Sequence, residues 1–259
     1  MTITRPAPRT APELRADPDQ PVSLARLGRI GYRDAADLQH GLVAARRAST
    51  GPDALLLLEH PPVYTLGKRA ERDHVLLPPD ELARRGIEVV EVDRGGDVTY
   101  HGPGQLVGYP ILKLAGLRSV VDYVRALESV LIHALGRLGV DATRVPEYTG
   151  VWVEGAKIAA IGVRVASGGI TSHGFALNVD PDLHDFAGIV PCGITDRGVC
   201  SLASLGVTDG VETVTDVVAE SFAEVFAATL LDTPPDRLLP VDGSWLSPTP
   251  TTDEGFVGA

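Results

Sequence analysis

The sequence is poor in cysteine, lysine and aromatic residues, and each shortage excludes something. Cys192 and Cys200 are the two cysteines among 259 residues. Two are too few for a disulfide framework, and their spacing is not the C-x-x-C of zinc or redox pairs. A reducing, cytoplasmic location is therefore expected. No apolar run approaches the roughly 18 residues of a membrane span, so no membrane partner is expected. The N-terminal stretch is rich in Pro, Ala and Arg without an apolar core, which is not the pattern of a secretory signal. The net charge is −11, and no basic stripe with interleaved aromatics is present, so nucleic acid is not an expected partner. No G-x-S-x-G elbow, Walker loop or Rossmann fingerprint occurs. The two His-Gly pairs have no third metal ligand at a useful spacing, so no metal is expected.

Only three of the 23 basic residues are lysines: Lys68, Lys113 and Lys157. Arginine keeps its proton near neutrality and lysine can release it, so each lysine is a candidate for proton chemistry. Lys68, beside Arg69 and Arg72, reads better as a solvated or anion-binding loop.

The organisation is that of one α+β domain. Residues 1–20 read as a disordered extension and 232–259 as a flexible acidic tail, leaving 21–231 as the folded body. Apolar spacing predicts helices near 33–48, 78–86, 119–138 and 212–231, with Ser119 and Asp122 resembling a capping box. Short apolar runs at 54–60 and 87–92 read as strands. Residues 150–179 read as an antiparallel meander broken at "EG" and "SGG". A mixed, mostly antiparallel sheet with flanking helices follows.

Four stretches carry chemistry. "DRGGDVTYHGPGQLVGYP" (93–110) places five glycines around Arg94 and His101, a loop that lets backbone approach a ligand or merely turns two hairpins. "GAKIAAIG" sets Lys157 among small apolar residues, facing either solvent or a cavity whose desolvation would tune its proton. "SHGFALNV" repeats the His-Gly pair at His173, and either histidine taken alone reads better as a structural one. "IVPCGI" presents Cys192 between Pro191 and Gly193. A thiolate nucleophile needs a depressed pKa, and Gly193 would leave a backbone N–H accessible as an oxyanion donor. Taken alone, Cys192 reads better as a core thiol than as a catalyst, and Cys200 reads as packing.

Together these motifs, in this order and followed by "VCSL", resemble the lipoyl(octanoyl) transferases, the lipoate-protein ligase B family, over about residues 25–230; Ser172 is an outer variation. The resemblance implies a fold related to the catalytic domains of biotin and lipoate ligases. It implies transfer of an octanoyl group from octanoyl-acyl carrier protein to a lysine of a lipoyl domain, without metal or ATP. The acceptors would be lipoyl domains of 2-oxoacid dehydrogenase complexes and the glycine cleavage H protein, and a monomer is expected. It further implies Cys192 as acyl carrier and Lys157 as acid/base. An acyl pocket would be lined by Arg94, Gly95, Gly96, Asp97, Val98, Thr99, Tyr100 and His101, with Ala160, Ile161, Gly162, His173, Gly174 and Phe175. Two alternatives are an ATP-dependent lipoate or biotin ligase, which needs no nucleophilic cysteine, and a non-catalytic lipoyl or acyl-carrier module, which needs neither Cys192 nor Lys157. Because the carrier is acidic by family expectation and this chain is acidic too, Lys68, Arg69 and Arg72 are expected to form a basic rim.

Overall fold

The computed structural model describes residues 10–116, 120–190 and 197–238. An eight-stranded sheet runs in the order β11-β1-β2-β6-β10-β9-β8-β7. Its members are β1 (Val22–Arg29), β2 (Asp53–Glu59), β6 (Gln105–Ile111), β7 (Thr143–Val145), β8 (Tyr148–Val153), β9 (Ala156–Ala166), β10 (Ile170–Asn178) and β11 (Leu230–Asp232). Strands β11, β1 and β2 are parallel, and every pairing from β2 across to β7 is antiparallel. A smaller sheet, β4-β3-β5, is formed by β3 (Val63–Leu66), β4 (Glu88–Glu91) and β5 (Val98–His101). The expected α+β architecture with a mixed, mostly antiparallel sheet is the one observed.

Helices cover both faces of the large sheet. Strand β2 shows why "ALLLLE" reads as an unbroken apolar run. Leu55 and Leu57 join the core beneath α4 (Val120–Arg137) and α5 (Val211–Phe226). Ala54, Leu56 and Leu58 join the core beneath α2 (Tyr32–Arg47). A strand buried on both faces has no reason to alternate with polar residues. A further short helix, α3 (Pro79–Arg85), has Pro at its start and ends at Gly86 in the left-handed region.

Three expectations shift. The helix expected over 212–231 stops at Phe226, Ala227 turns into the left-handed region, and Leu230–Asp232 pairs with β1. Apolar residues continue through that break, so periodicity alone overruns it. The tail boundary at 232 moves with it, since Leu238 is buried against the α2 side of the sheet. The extension expected over 1–20 is packed from residue 10 onward: α1 (Ala11–Leu14) buries Leu14 in the main core, and Arg15 is 2% exposed. The capping box at Ser119 lies outside the described residues.

Candidate active site

A cavity of about 470 Å³, counted out to its mouth, opens between the α2 side of the large sheet and the small sheet. It is built largely from backbone and small residues. Gly162 lies so close to the 94–97 loop that a β-carbon there would stand 3.0 Å from Arg94 Cδ and 3.2 Å from the Gly95 carbonyl oxygen. The loop is stitched to β9 by the Gly95 amide donating to the Val163 carbonyl (3.0 Å).

Arg94 holds this loop together. Its guanidinium donates to the carbonyls of Gly95 and Asp97 and to both the carbonyl and hydroxyl oxygens of Thr65, at 2.7–3.1 Å. Asp97 in turn accepts from its own neighbour's amide and lies 2.6 Å from His74 Nδ1.

Twelve of the fourteen residues expected in the pocket surround this cavity: Arg94, Gly95, Gly96 and Asp97 from the loop, Thr99 and His101 from β5, Ala160, Ile161 and Gly162 from β9, and His173, Gly174 and Phe175 from β10. Val98 and Tyr100 do not. Strand β5 alternates, so its even-numbered positions turn away and pack with Tyr64, Leu66 and Phe186 behind the small sheet. Successive side chains of a strand point to opposite faces of its sheet. Tyr32, Tyr109 and Ala176 also line the cavity and were missed. Strand alternation through "QLVGYP" could have found Tyr109, whereas Tyr32 arrives from a distant helix terminus without a local signal.

The cavity's histidines are held neutral. His101 is 7% exposed, and burial, with His60 nearby, pushes its pKa down to about 3. His60 lies behind it. Its Nδ1 meets the Ile30 carbonyl (2.8 Å), an acceptor, so Nδ1 carries the proton and Nε2 accepts from the Tyr109 hydroxyl (2.8 Å). Burial lowers His60 to about 4. His173 sits at φ 57°, a conformation rare outside glycine and of the kind that clusters at functional sites. Its amide donates to Gln39 Oε1 (2.7 Å) and its Nε2 meets Asp93 Oδ1 (2.7 Å). Burial lowers the His173 pKa against the opposing pull of Asp93. Asp93, which also pairs with Arg164 at 3.0 Å, is held down at about 2 despite burial.

Lys157 reaches the cavity side of the sheet through a bulge. The register runs Val151↔Ala159 and then Trp152↔Lys157, which leaves Ile158 as an extra residue on β9. Ile158, Ala159, Ile161 and Val163 all belong to the core on the α4–α5 side. Strict alternation from 159 would bury Lys157 in that core. The extra residue reverses the phase and sets Lys157 on the same face as Ala160 and Gly162, a use of bulges common beside sites. It stands three residues, about 10 Å, along the strand from the cavity wall at Ala160. Lys157 is 8% exposed, and its Nζ lies 4.9 Å from the ring centroid of the buried Trp152, within cation–π range.

Cys192, with Pro191 and Gly193, lies outside the described residues. The segment that follows it is described: the Lys157 amide donates to the Gly198 carbonyl (2.9 Å) and the Cys200 amide to the Lys157 carbonyl (3.0 Å). Cys200 itself is a buried free thiol whose pKa is pushed up to about 11 by burial and by Glu154, the opposite of what a nucleophile needs. Of the expected basic rim, Lys68 and Arg69 are exposed, and their amides donate to the carbonyls of Arg94 and Gly96 in the cavity loop (both 3.1 Å). Arg72 is exposed and 3.4 Å from Glu91.

Comparison with known proteins places this arrangement. The family model described as the lipoyl protein ligase A/B catalytic domain matches residues 31–223. The chain is 54% identical over 205 residues to an octanoyltransferase of Chloroflexus aurantiacus, covering 78% of this chain and 92% of that one. It is 50% identical over 236 residues to an octanoyltransferase of Acidobacterium capsulatum, covering 84% and 96%. Among solved structures it is similar to a bipartite lipoate protein ligase from Thermoplasma acidophilum, solved in a study that included its E2 lipoyl domain (TM-score 0.68, 17% identity, 83% and 87% covered). A lipoate-protein ligase A bound with ATP is similarly related (TM-score 0.68, 16% identity, 83% and 89% covered), and both likenesses concern the fold. The chain belongs to the lipoyl protein ligase A/B catalytic domain family and, standing there with the octanoyltransferases, is an acyltransferase of octanoyl transfer in lipoylation.

Proposed function

We propose that the chain moves an octanoyl group from octanoyl-acyl carrier protein to a lysine of a lipoyl domain by way of a thioester on Cys192, with Lys157 carrying the proton. The observation that carries this reading is the bulge in β9, which turns one of only three lysines onto the cavity face beside the segment that follows Cys192.

In the first half-reaction Lys157 takes the Cys192 proton. The thiolate attacks the octanoyl thioester, and the carrier's phosphopantetheine thiolate leaves and takes that proton back from Lys157, which is then neutral again. Exchange of one thioester for another is nearly thermoneutral, so neither ATP nor a metal is called for. In the second half-reaction the neutral ε-amine of the acceptor lysine attacks the Cys192 thioester. Its surplus proton passes to Lys157, the amide forms, and the Cys192 thiolate is released. The greater stability of the amide drives this step.

The small residues Ala160, Gly162 and Ala176 on the cavity face leave room for an alkyl chain, at about 0.8 kcal/mol per buried CH₂. Selectivity for chain length would accordingly be graded. Lys68 and Arg69, joined to the cavity loop by backbone hydrogen bonds, form the rim on which an acidic carrier would dock. Lipoyl domains of 2-oxoacid dehydrogenase complexes and the glycine cleavage H protein are the proposed acceptors, and the protein would act as a cytoplasmic monomer. No helix among the described residues is long and apolar enough to cross a membrane.

Intact mass after mixing with octanoyl-acyl carrier protein, without ATP, tests the reading. An octanoyl adduct that disappears in Cys192→Ala supports it. An adduct that persists in that variant refutes the assigned nucleophile. Modification of the lipoyl domain only with ATP and free acid would make the protein a ligase, and none under either condition would leave a binding module.

A further inference from the structure

Two buried amides join the cavity to the backbone of Lys157. Gln105 on β6 and Asn178 at the end of β10 are register partners across the sheet and are 2% and 4% exposed. Gln105 Oε1 lies 2.7 Å from His101 Nδ1, and Gln105 Nε2 donates to Asn178 Oδ1 (2.9 Å) and to the Tyr100 carbonyl (3.2 Å). Asn178 Nδ2 donates to the Cys200 carbonyl (2.9 Å), and the Asn178 carbonyl accepts from the Leu202 amide (3.0 Å). The chain closes where the Cys200 amide donates to the Lys157 carbonyl (3.0 Å).

Neither amide can turn. A flip of Asn178 would set its NH₂ against Gln105 Nε2 and its oxygen against the Cys200 carbonyl, and a flip of Gln105 would set its oxygen against the Tyr100 carbonyl and Asn178 Oδ1, which buried polar groups do not tolerate cheaply. A fully satisfied buried network of this kind specifies a single arrangement. Gln105 Oε1 only accepts, so His101 carries its proton on Nδ1. Burial keeps the ring neutral, and its other nitrogen, Nε2, is then an unprotonated acceptor. His101 lines the cavity, whereas Gln105 and Asn178 do not.

We propose that Asn178 is a positioning residue of the transfer: through Gln105 it fixes the tautomer of His101 at the cavity wall, and through Cys200 it fixes the strand position of Lys157. Cavity and proton carrier are thereby held in one register. This rests on the reading that Lys157 acts in the transfer, and the experiment separates the two.

Asn178→Asp keeps the acceptor for Gln105 and loses the donor to Cys200. Gln105→Met keeps the volume and loses both amide bonds. With only three lysines in the chain, ¹³C-lysine labelling gives three side-chain signals, and Lys157→Arg assigns the one that matters. Long-range ¹⁵N correlation spectra read the His101 tautomer. In Asn178→Asp, kcat should fall at least tenfold with KM for the octanoyl donor within twofold, and the Lys157 signal should move. In Gln105→Met the His101 spectrum should change from the Nδ1-protonated form to a tautomer mixture, with a comparable fall in kcat. Thermal unfolding verifies each fold, and either folded variant decides. A folded variant with wild-type kcat overturns the proposal, whatever its spectra show, provided Lys157→Arg is impaired. Normal turnover by Lys157→Arg overturns the reading beneath it.

Discussion

Replacing Asp53 by asparagine tests whether the segment before β1 is part of the fold. Asp53 opens β2 with its side chain fully buried. Its Oδ2 accepts from Arg15 Nε at 3.0 Å, while Oδ1 accepts from Arg46 Nε at 2.8 Å and from the Lys113 amide at 3.0 Å. Arg15 and Arg46 are themselves buried. Asparagine preserves the shape and removes the charge. If its oxygen takes the Oδ1 position, its NH₂ faces Arg15; if it takes the Oδ2 position, the NH₂ faces Arg46 and Lys113. Either orientation sets donor against donor and leaves Arg15 without its carboxylate, while Arg46 keeps Asp17 at 2.6 Å. Breaking a buried ion pair in this way costs about 3–5 kcal/mol. For a domain of this size each kcal/mol moves Tm by about 2–4 °C, so Asp53→Asn should melt about 6–20 °C lower in a calorimetric scan. Deleting residues 1–20 should also lower Tm, since it removes Arg15 and the fully buried Leu14, whose burial alone contributes about 1.5–3 kcal/mol. A deletion that melts with the full chain would return 1–20 to a disordered extension. A Tm for Asp53→Asn within about 3 °C of wild type would refute the electrostatic argument.

Three further outcomes follow from burial and close contact. His60, held at about 4 by burial, lies below its unfolded value, so the unfolded chain takes up the proton first; stability is full above about pH 6.5 and declines toward pH 4 at up to about 1.4 kcal/mol per pH unit. Urea midpoints across that range should show a smaller slope in His60→Gln, and an identical slope would contradict the burial argument. Gly174→Ala should fail to fold or lose more than about 3 kcal/mol, because the new methyl would overlap the Gly108 carbonyl oxygen and come within 2.7 Å of Pro110 Cδ; a wild-type urea midpoint would exclude that close approach of β10 to β6. Cys200, with its thiol pushed up to about 11, should resist iodoacetamide at pH 8 in the native state, so labelling of Cys200 seen by peptide mapping would count against its buried position.

Much of this molecule was determined by local chemistry. Continuous apolar residues at 54–60 were enough to announce a strand, Pro79 and Gly86 enough to bound α3, and the "EG" and "SGG" turns enough to mark the antiparallel meander. The motifs around Arg94, His101, Lys157 and His173 named the family, because their residue types and order are specific even where each alone is ordinary. Tertiary structure decided what depends on direction and distance. Alternation within β5 divided a contiguous motif, sending Thr99 and His101 to the cavity and Val98 and Tyr100 behind it. One extra residue in β9 reversed the phase of the strand and brought Lys157 out of the core, an event invisible in a string of small apolar residues. The partners of Asp53 and Asn178 lie up to 73 positions away along the chain; a buried polar group gains its meaning from the donor it meets, and only folding brings that donor within 3 Å.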